Sequence, residues 1–147
     1  GQCQFMPTSF INYAIDFDDD GKKDIWNTVP DVLASAANYL SSTNWNNKET
    51  WGREVSILNP IDESLITVSA RNVDVSKKLS TWSALGVRRL DGSELPKVDI
   101  NAYLVYPEGA SGRKYIVYEN FKTILNWNRS LFFGIAVGTL SDLIEYY

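Results

Sequence analysis

Residues 13–26 read YAIDFDDDGKKDIW, an acidic stretch between two apolar segments that decides how the first third of the chain folds. Its aspartates and one glycine recur at fixed intervals, at Asp16, Asp18, Asp20, Gly21 and Asp24. An EF-hand-type loop supplies oxygen ligands from positions 1, 3, 5, 7, 9 and 12, with glycine at position 6 for the sharp turn. The spacing therefore predicts a cation-binding loop over residues 16–27.

Six positions of this loop are predicted to offer oxygen ligands: Asp16, Asp18, Asp20, the backbone carbonyl of Lys22, Asp24 and Asn27. Carboxylates gathered this closely repel one another unless a cation lies between them. The last position holds Asn27, which offers one uncharged oxygen where glutamate would offer two charged ones. We therefore expect weak binding of a structural Ca²⁺ or Na⁺, with a metal-free Asp/Gly turn as the alternative.

Apolar residues at helical spacing lie on both sides of the loop. Before it, residues 1–15 are predicted to contain a short helix capped by Thr8 or Ser9. After it, Pro30 stands at a favourable first helical position, and the apolar spacing predicts a half-buried helix up to about Ser41.

Short alternating runs in the middle of the chain predict a small sheet. The predicted strands cover residues 54–58, 65–70, 98–106 and 114–118. A short helix over residues 76–85 is expected to end at Gly86, and residues 90–92 form a turn. The chain then returns to helix over residues 120–125 and 131–144.

The order helix, small sheet, helix predicts an α+β fold in which the strands are inserted between helices that pack together. Three parts are expected: a helical part over 1–52 with the loop, a small α/β insertion over 53–118, and returning helices over 119–147. The apolar stretch 131–140 is about half of the roughly 20 residues needed to span a bilayer, so we expect a buried helix there and no transmembrane segment.

The composition excludes several chemistries. The 147 residues include 14 Lys and Arg, 18 Asp and Glu, one Cys and no His. Without His, the Ser-His-Asp and Cys-His nucleophile pairs and His-ligated zinc are excluded. A net charge of -4 without a basic stripe disfavours nucleic-acid binding, and the lone Cys3 cannot form an internal disulfide.

Aromatic side chains are frequent, and several lie next to amides, as in Gln4-Phe5, Asn38-Tyr39 and Trp127-Asn128. The chain has 5 Trp, 8 Tyr and 6 Phe. Sugars are bound by aromatic faces and by a few well-placed amide and carboxylate hydrogen bonds. This pairing indicates a carbohydrate-binding surface, and a place in the core is the alternative for each ring.

Four segments carry a resemblance to a known family: GQCQFMPTSF (1–10), YAIDFDDDGKKDIW (13–26), PDVLASAANYL (30–40) and ILNWNRSLFFGIAVGTL (124–140). Together they resemble the membrane-bound lytic murein transglycosylase B family of bacteria. The resemblance implies a portion of a mostly helical, lysozyme-like transglycosylase core, with a small inserted β-sheet subdomain and an EF-hand-like loop. It implies peptidoglycan glycan strands as the partner, a periplasmic location, a monomer and no organic cofactor. The sequence shows no signal peptide and leaves open whether the full-length protein is anchored to the outer membrane.

The family resemblance also implies a reaction. Such an enzyme cleaves the MurNAc-GlcNAc β-1,4 bond and closes a 1,6-anhydro ring on the muramic residue. One glutamate, kept protonated by an apolar setting, donates a proton to the glycosidic oxygen and then accepts one from the 6-hydroxyl of the sugar. The substrate itself supplies the nucleophile, so a second carboxylate is not needed.

None of the glutamates of this chain stands in the context that the family gives its catalytic acid. They are Glu49, Glu54, Glu63, Glu94, Glu108, Glu119 and Glu145. The resemblance places the acid upstream of Gly1, so we expect the chain to be the C-terminal portion of a catalytic domain and to be inactive alone. Glu119 is expected at a helix N-terminus, where its charge is favourable.

Six residues are assigned to sugar binding by the resemblance: Gln4, Phe5, Tyr39, Trp127, Asn128 and Phe133. Trp127 and Phe133 stand where the family often has tyrosine. Each replacement keeps an aromatic face for stacking, but the hydrogen bond of the tyrosine hydroxyl is altered or lost. Ser130 is predicted to cap the last helix. A non-catalytic glycan-binding module and a calcium-stabilised interaction domain are the alternative functions.

Overall fold

The computed structural model of the protein describes residues 1–145, which form two compact units. The first covers Gly1–Asn46, and the second begins at Asn47. The first unit is helical, and the second combines a sheet with helices, so the α+β class is confirmed. The predicted division into 1–52, 53–118 and 119–147 stays a prediction.

Two helices frame the acidic loop in the first unit: α1 (Pro7–Tyr13) and α2 (Val29–Ser42). The predicted cap at Thr8 or Ser9 is wrong, because α1 already begins at Pro7. Proline suits that position, since its φ is preset for a helix and its missing N–H would have no partner in the first turn. Pro30 lies in the first turn of α2 as expected.

The second unit contains all six strands and three further α-helices. The strands are β1 (Gly52–Ile57), β2 (Ile66–Thr67), β3 (Lys77–Lys78), β4 (Val87–Arg88), β5 (Asn101–Val105) and β6 (Lys114–Val117). The helices are α3 (Leu79–Ala84), α4 (Glu119–Trp127) and α5 (Leu131–Glu145). A 3-10 turn, Glu63–Leu65, precedes β2.

The strands form one sheet in the order β2-β5-β6-β1-β4, and β3 also pairs with β5. β5 and β6 pair antiparallel in the register Tyr103 to Val117, while β2 and β5 run parallel. β1 pairs with β6 and then with β4 further along its length. Trp82, Leu104 and Ile116 are fully buried between the sheet and α3.

Three predictions of secondary structure in the second unit differ from the structure. The strand predicted over 65–70 ends at Thr67, because Ser69 accepts from the backbone N–H of Arg71 and Asn72 and turns the chain. The predicted helix over 76–85 begins only at Leu79, since Lys77–Lys78 pair with β5. β4 has two residues and leaves no periodic signal, so it was missed.

The last helix is buried on one side only. Leu131, Gly134, Ile135 and Gly138 are buried and Phe133 is half-buried, whereas the other large apolar side chains of α5 are exposed, among them Phe132, Leu140, Leu143 and Ile144. The expectation of a buried helix over 131–140 is therefore wrong for most of its surface. Its buried positions recur every three to four residues, so only one face of the helix is covered. Within residues 1–145, no helix combines the length and apolarity that crossing a membrane requires.

Trp51 joins the sheet to α5. Its ring lies against Gly138 and 6.2 Å from the Phe121 ring, and its Nε1 donates to Asp142 Oδ2 at 2.9 Å. Its backbone oxygen accepts from the N–H of Tyr118 at 3.0 Å. A side chain at position 138 would occupy the space of the indole, so glycine is required there for close packing rather than for a turn.

Replacing Gly138 by alanine should destabilise the protein by up to about 2 kcal/mol. Overpacking against a rigid indole costs about 1–3 kcal/mol, and the gain of about 1 kcal/mol in helix propensity offsets only part of this cost. Urea unfolding measures the difference. Thr139→Ala, at an exposed neighbouring position of α5, is the control and should be neutral or slightly stabilising. Equal stability of both variants would contradict this packing.

Candidate functional site

Gln4, Phe5 and Tyr39 lie together in the first unit. The Phe5 and Tyr39 rings are 5.8 Å apart, and Tyr13 meets Tyr39 edge-on at 5.0 Å. Burial raises the pKa of Tyr39, and Tyr13 raises it further, so its hydroxyl stays protonated at neutral pH. The group therefore offers half-buried aromatic faces beside an exposed amide.

The backbone of Gln4 has an uncommon conformation. Its φ is +53°, in the left-handed region that few residues other than glycine adopt, and its N–H donates to Gly1 O at 3.0 Å. Strained residues of this kind cluster at ligand sites. Gln4 is exposed and directly precedes Phe5 in the chain.

Trp127, Asn128 and Phe133 lie around the corner between α4 and α5 in the second unit. Trp127 ends α4, and Asn128 follows as an exposed residue whose N–H donates to Ile124 O at 3.2 Å. The hydroxyl of Ser130 accepts from the N–H of Phe133 at 3.3 Å, which confirms Ser130 as the cap of α5. Trp127 and Phe133 are half-buried, so each ring keeps an accessible part.

Glu119 opens α4, as expected, and is held by the sheet. The Tyr103 hydroxyl donates to Glu119 Oε1 at 2.5 Å, and Lys122 Nζ lies 3.6 Å from Glu119 Oε2. Burial and the bond to Glu119 raise the pKa of Tyr103. These contacts fix the first turn of α4.

The acidic loop folds around its own carboxylates. Asp16 accepts from the backbone N–H of Asp20 at 3.2 Å and of Gly21 at 2.9 Å, and Asp20 accepts from Lys22 N–H at 2.8 Å. Gly21 has φ +88°, which the turn requires. The sharp turn that the spacing predicted is therefore present.

A residue that the sequence did not indicate, Asp31, completes a carboxylate cluster. It is fully buried in the first turn of α2, and it accepts from the N–H of Phe17 and of Asp24, both at 2.8 Å. One carboxylate oxygen from each of Asp16, Asp18 and Asp31 lies within 4.8 Å of the other two. The twelve-position spacing ended at Asn27, so it could not reach a carboxylate contributed by the following helix.

The pKa of Asp18 is raised above its ordinary value. Loss of surrounding water is the main cause, and the charges of Asp20, Asp31 and Asp16 add to it. A cation between these carboxylates would remove the repulsion.

Asp24 and Asn27 bond to each other. Asp24 accepts from the backbone N–H of Trp26 and Asn27, both at 2.9 Å, and from the Asn27 side-chain amide at 3.1 Å. These bonds, led by the one from the Asn27 side chain, lower the pKa of Asp24. Asp20 and Asp24 lie outside the three-carboxylate cluster within the described residues. The full set of six ligands stays a prediction.

Residues 1–142, which include both aromatic groups and the acidic loop, match the transglycosylase SLT domain. The chain belongs to this family. The match confirms the resemblance that the four sequence segments indicated.

Solved structures show the same fold as this SLT-domain chain. The structure of SltB3 from Pseudomonas aeruginosa in complex with NAG-anhNAM-pentapeptide is 39% identical with a TM-score of 0.88, over 99% of this chain and 38% of that chain. The Escherichia coli lytic transglycosylase Slt35 in complex with calcium is 25% identical with a TM-score of 0.72, over 97% of this chain and 43% of that chain. The lysozyme-like transglycosylase fold is thus confirmed, and the EF-hand-like character of the loop stays a prediction.

A curated relative gives the same family. The membrane-bound lytic murein transglycosylase B of Escherichia coli (strain K12) is 25% identical over 155 residues, which cover 98% of this chain and 37% of that protein. The chain therefore spans less than two fifths of the length of this relative and of SltB3.

Proposed function

We propose that this chain forms part of the glycan-binding cleft of a peptidoglycan lytic transglycosylase. The match of residues 1–142 to the transglycosylase domain carries the proposal. The substrate is a glycan strand with peptide stems, by analogy with SltB3, whose structure contains NAG-anhNAM-pentapeptide. The proposal includes a periplasmic location and a monomeric state.

In this proposal the residues of the chain bind and orient the sugars. The amides of Gln4 and Asn128 bond sugar hydroxyls, and the rings of Phe5, Tyr39, Trp127 and Phe133 pack against the apolar faces of the sugars. Holding the muramic residue still brings its 6-hydroxyl near its own anomeric carbon, which replaces a bimolecular attack by an intramolecular one. The bond cleaved is the MurNAc-GlcNAc β-1,4 linkage, and the product is a 1,6-anhydro ring.

We infer that the general acid comes from polypeptide outside these 147 residues. A general acid of this kind needs an apolar setting that keeps it protonated. Glu54, Glu94 and Glu119 instead each lie within 4.0 Å of a lysine or arginine nitrogen. None of these three carboxylates therefore has the apolar setting that the reaction requires.

Asn128→Ala should weaken glycan binding by about tenfold, because one hydrogen bond to a hydroxyl contributes up to about 1.5 kcal/mol. The melting temperature should change little, since the side chain is exposed. Titration of the chain with a peptide-free NAG-NAM tetrasaccharide, followed by tryptophan fluorescence, measures the affinity. Asn126→Ala, at an exposed position of α4, is the matched control. Equal affinity of both variants would remove Asn128 from the cleft.

The carboxylate cluster is proposed to hold a structural Ca²⁺, with Na⁺ as the weaker alternative. Ca²⁺ takes oxygen ligands at about 2.3–2.6 Å, so two ligands on opposite sides lie about 5 Å apart. The separations within 4.8 Å among Asp16, Asp18 and Asp31 fit this geometry. The Slt35 structure contains calcium, which supports the choice of ion. Asp20, the Lys22 carbonyl, Asp24 and Asn27 are the proposed further donors.

Adding 10 mM CaCl₂ should stabilise the protein by about 1–3 kcal/mol, if the dissociation constant lies in the range of about 0.1–1 mM typical of weak sites. Calorimetry measures the rise in melting temperature, with MgCl₂ and NaCl for comparison. Asp18→Asn should raise the stability without calcium and abolish the calcium response.

Asp19→Asn is the matched control for this test. Asp19 lies beside Asp18 but outside the cluster, and its φ of +57° suits asparagine. This variant should respond to calcium as the unmodified chain does. A calcium response that is the same in Asp18→Asn and Asp19→Asn would rule out the proposed ion site.

A further inference from the structure

A surface cavity of about 560 Å³ lies between α3 and the segment 94–99 in the second unit. Leu95, Pro96, Val98 and Ala84 give it apolar walls, and the Arg88 side chain lines it as well. Its volume falls in the range of small-molecule sites, roughly 300–1,000 Å³. None of the residues assigned to sugar binding lines this cavity.

Arg88 is half-buried and fixed in position by the backbone. Its Nη1 donates to Ser83 O at 2.5 Å and to Val87 O at 2.9 Å. These carbonyls are uncharged, and Nη2 and Nε remain as further donors of the guanidinium. Among residues 1–145, no ion pair includes Arg88.

The two carboxylates that line the cavity face lysines instead. Asp99 lies 2.8 Å from Lys78 Nζ, and Glu94 lies 4.0 Å from Lys97 Nζ. Among the described residues, Arg88 therefore has no carboxylate within 4.0 Å, and Glu94, which lies opposite it in a β-bridge, is the nearest candidate in the chain. The remaining guanidinium donors can pair with an anion that enters the cavity.

We propose that this cavity binds the terminal carboxylate of a peptide stem. A guanidinium fork matches a carboxylate, and the apolar walls accommodate small side chains next to it. The inference rests on the proposed function, in which the glycan strand carries peptides. A strand carries many stems, so the captured stem need not belong to the disaccharide at Asn128. The cavity would then favour glycan strands whose peptide stems end in a free carboxylate.

The test compares four probes: NAG-NAM-pentapeptide, the same compound with a C-terminal amide, the free pentapeptide and the peptide-free NAG-NAM tetrasaccharide. Isothermal titration calorimetry on the 147-residue chain should give at least about tenfold weaker binding for the amide than for the acid, as expected for loss of a charge-assisted bond. The backbone amide signals of Ser83 and of residues 94, 95 and 97–99 should shift with the acid and not with the tetrasaccharide. The free pentapeptide should cause the same shifts, which separates the peptide from the sugar as their source.

Two variants are used, so that the test stays informative if one of them does not fold. Arg88→Gln removes the charge but also the bonds to the end of α3, whereas Ala84→Glu keeps Arg88 and adds a competing carboxylate at an exposed cavity position. Both variants should bind the pentapeptide acid and the C-terminal amide with equal affinity. Arg71→Gln, at an exposed arginine outside the cavity, should keep the difference between acid and amide.

The outcomes separate the two proposals. Equal binding of acid and amide, with the tetrasaccharide still bound, overturns the peptide site and leaves the glycan cleft standing. A preserved acid preference without tetrasaccharide binding supports the cavity and contradicts the cleft. An acid preference that persists in both Arg88→Gln and Ala84→Glu also overturns the assignment to this cavity.

Discussion

The buried carboxylate of Asp31 is the constraint on which the first unit depends. Without partners, its burial would cost several kcal/mol, and the N–H groups of Phe17 and Asp24 provide the required hydrogen bonds from both ends of the loop. The same residue lies in the first turn of α2, which carries Tyr39 two turns later. One helix therefore fixes both the acidic loop and an aromatic face proposed to contact the glycan. A cation at the loop would act on the stability of this helix, not on the chemistry.

Trp51 has the corresponding role in the second unit. It bonds β1 to the start of α4 through Tyr118 N–H and to α5 through Asp142, and it leaves no room for a side chain at Gly138. The corner that presents Trp127 and Asn128 lies between these two anchored helices. Their position thus depends on these buried contacts. The side chain of Asn128 is exposed, and that of Trp127 is half-buried.

The sequence predicted those features that have a local cause. The turn at Gly21, the cap at Ser130 and the helices on both sides of the loop follow from spacing and residue type. Three features depend on contacts between distant segments and were not predictable: Asp31 in the carboxylate cluster, the two-residue strand β4, and the exposed side of α5. The place of Arg88 in the cavity wall likewise emerges only when β4 meets α3. The sugar-binding assignments came from family resemblance and remain proposals.

The central claim is that this chain binds glycan but does not contain the acid that cleaves it. The most direct measurement is digestion of purified sacculi with mass spectrometry of the soluble products. It compares the 147-residue chain with a chimera in which these residues replace the matching segment of SltB3. The account predicts anhydromuropeptides from the chimera and none from the chain alone. Anhydro products from the chain alone would contradict the claim, as would a folded, glycan-binding chimera that forms none.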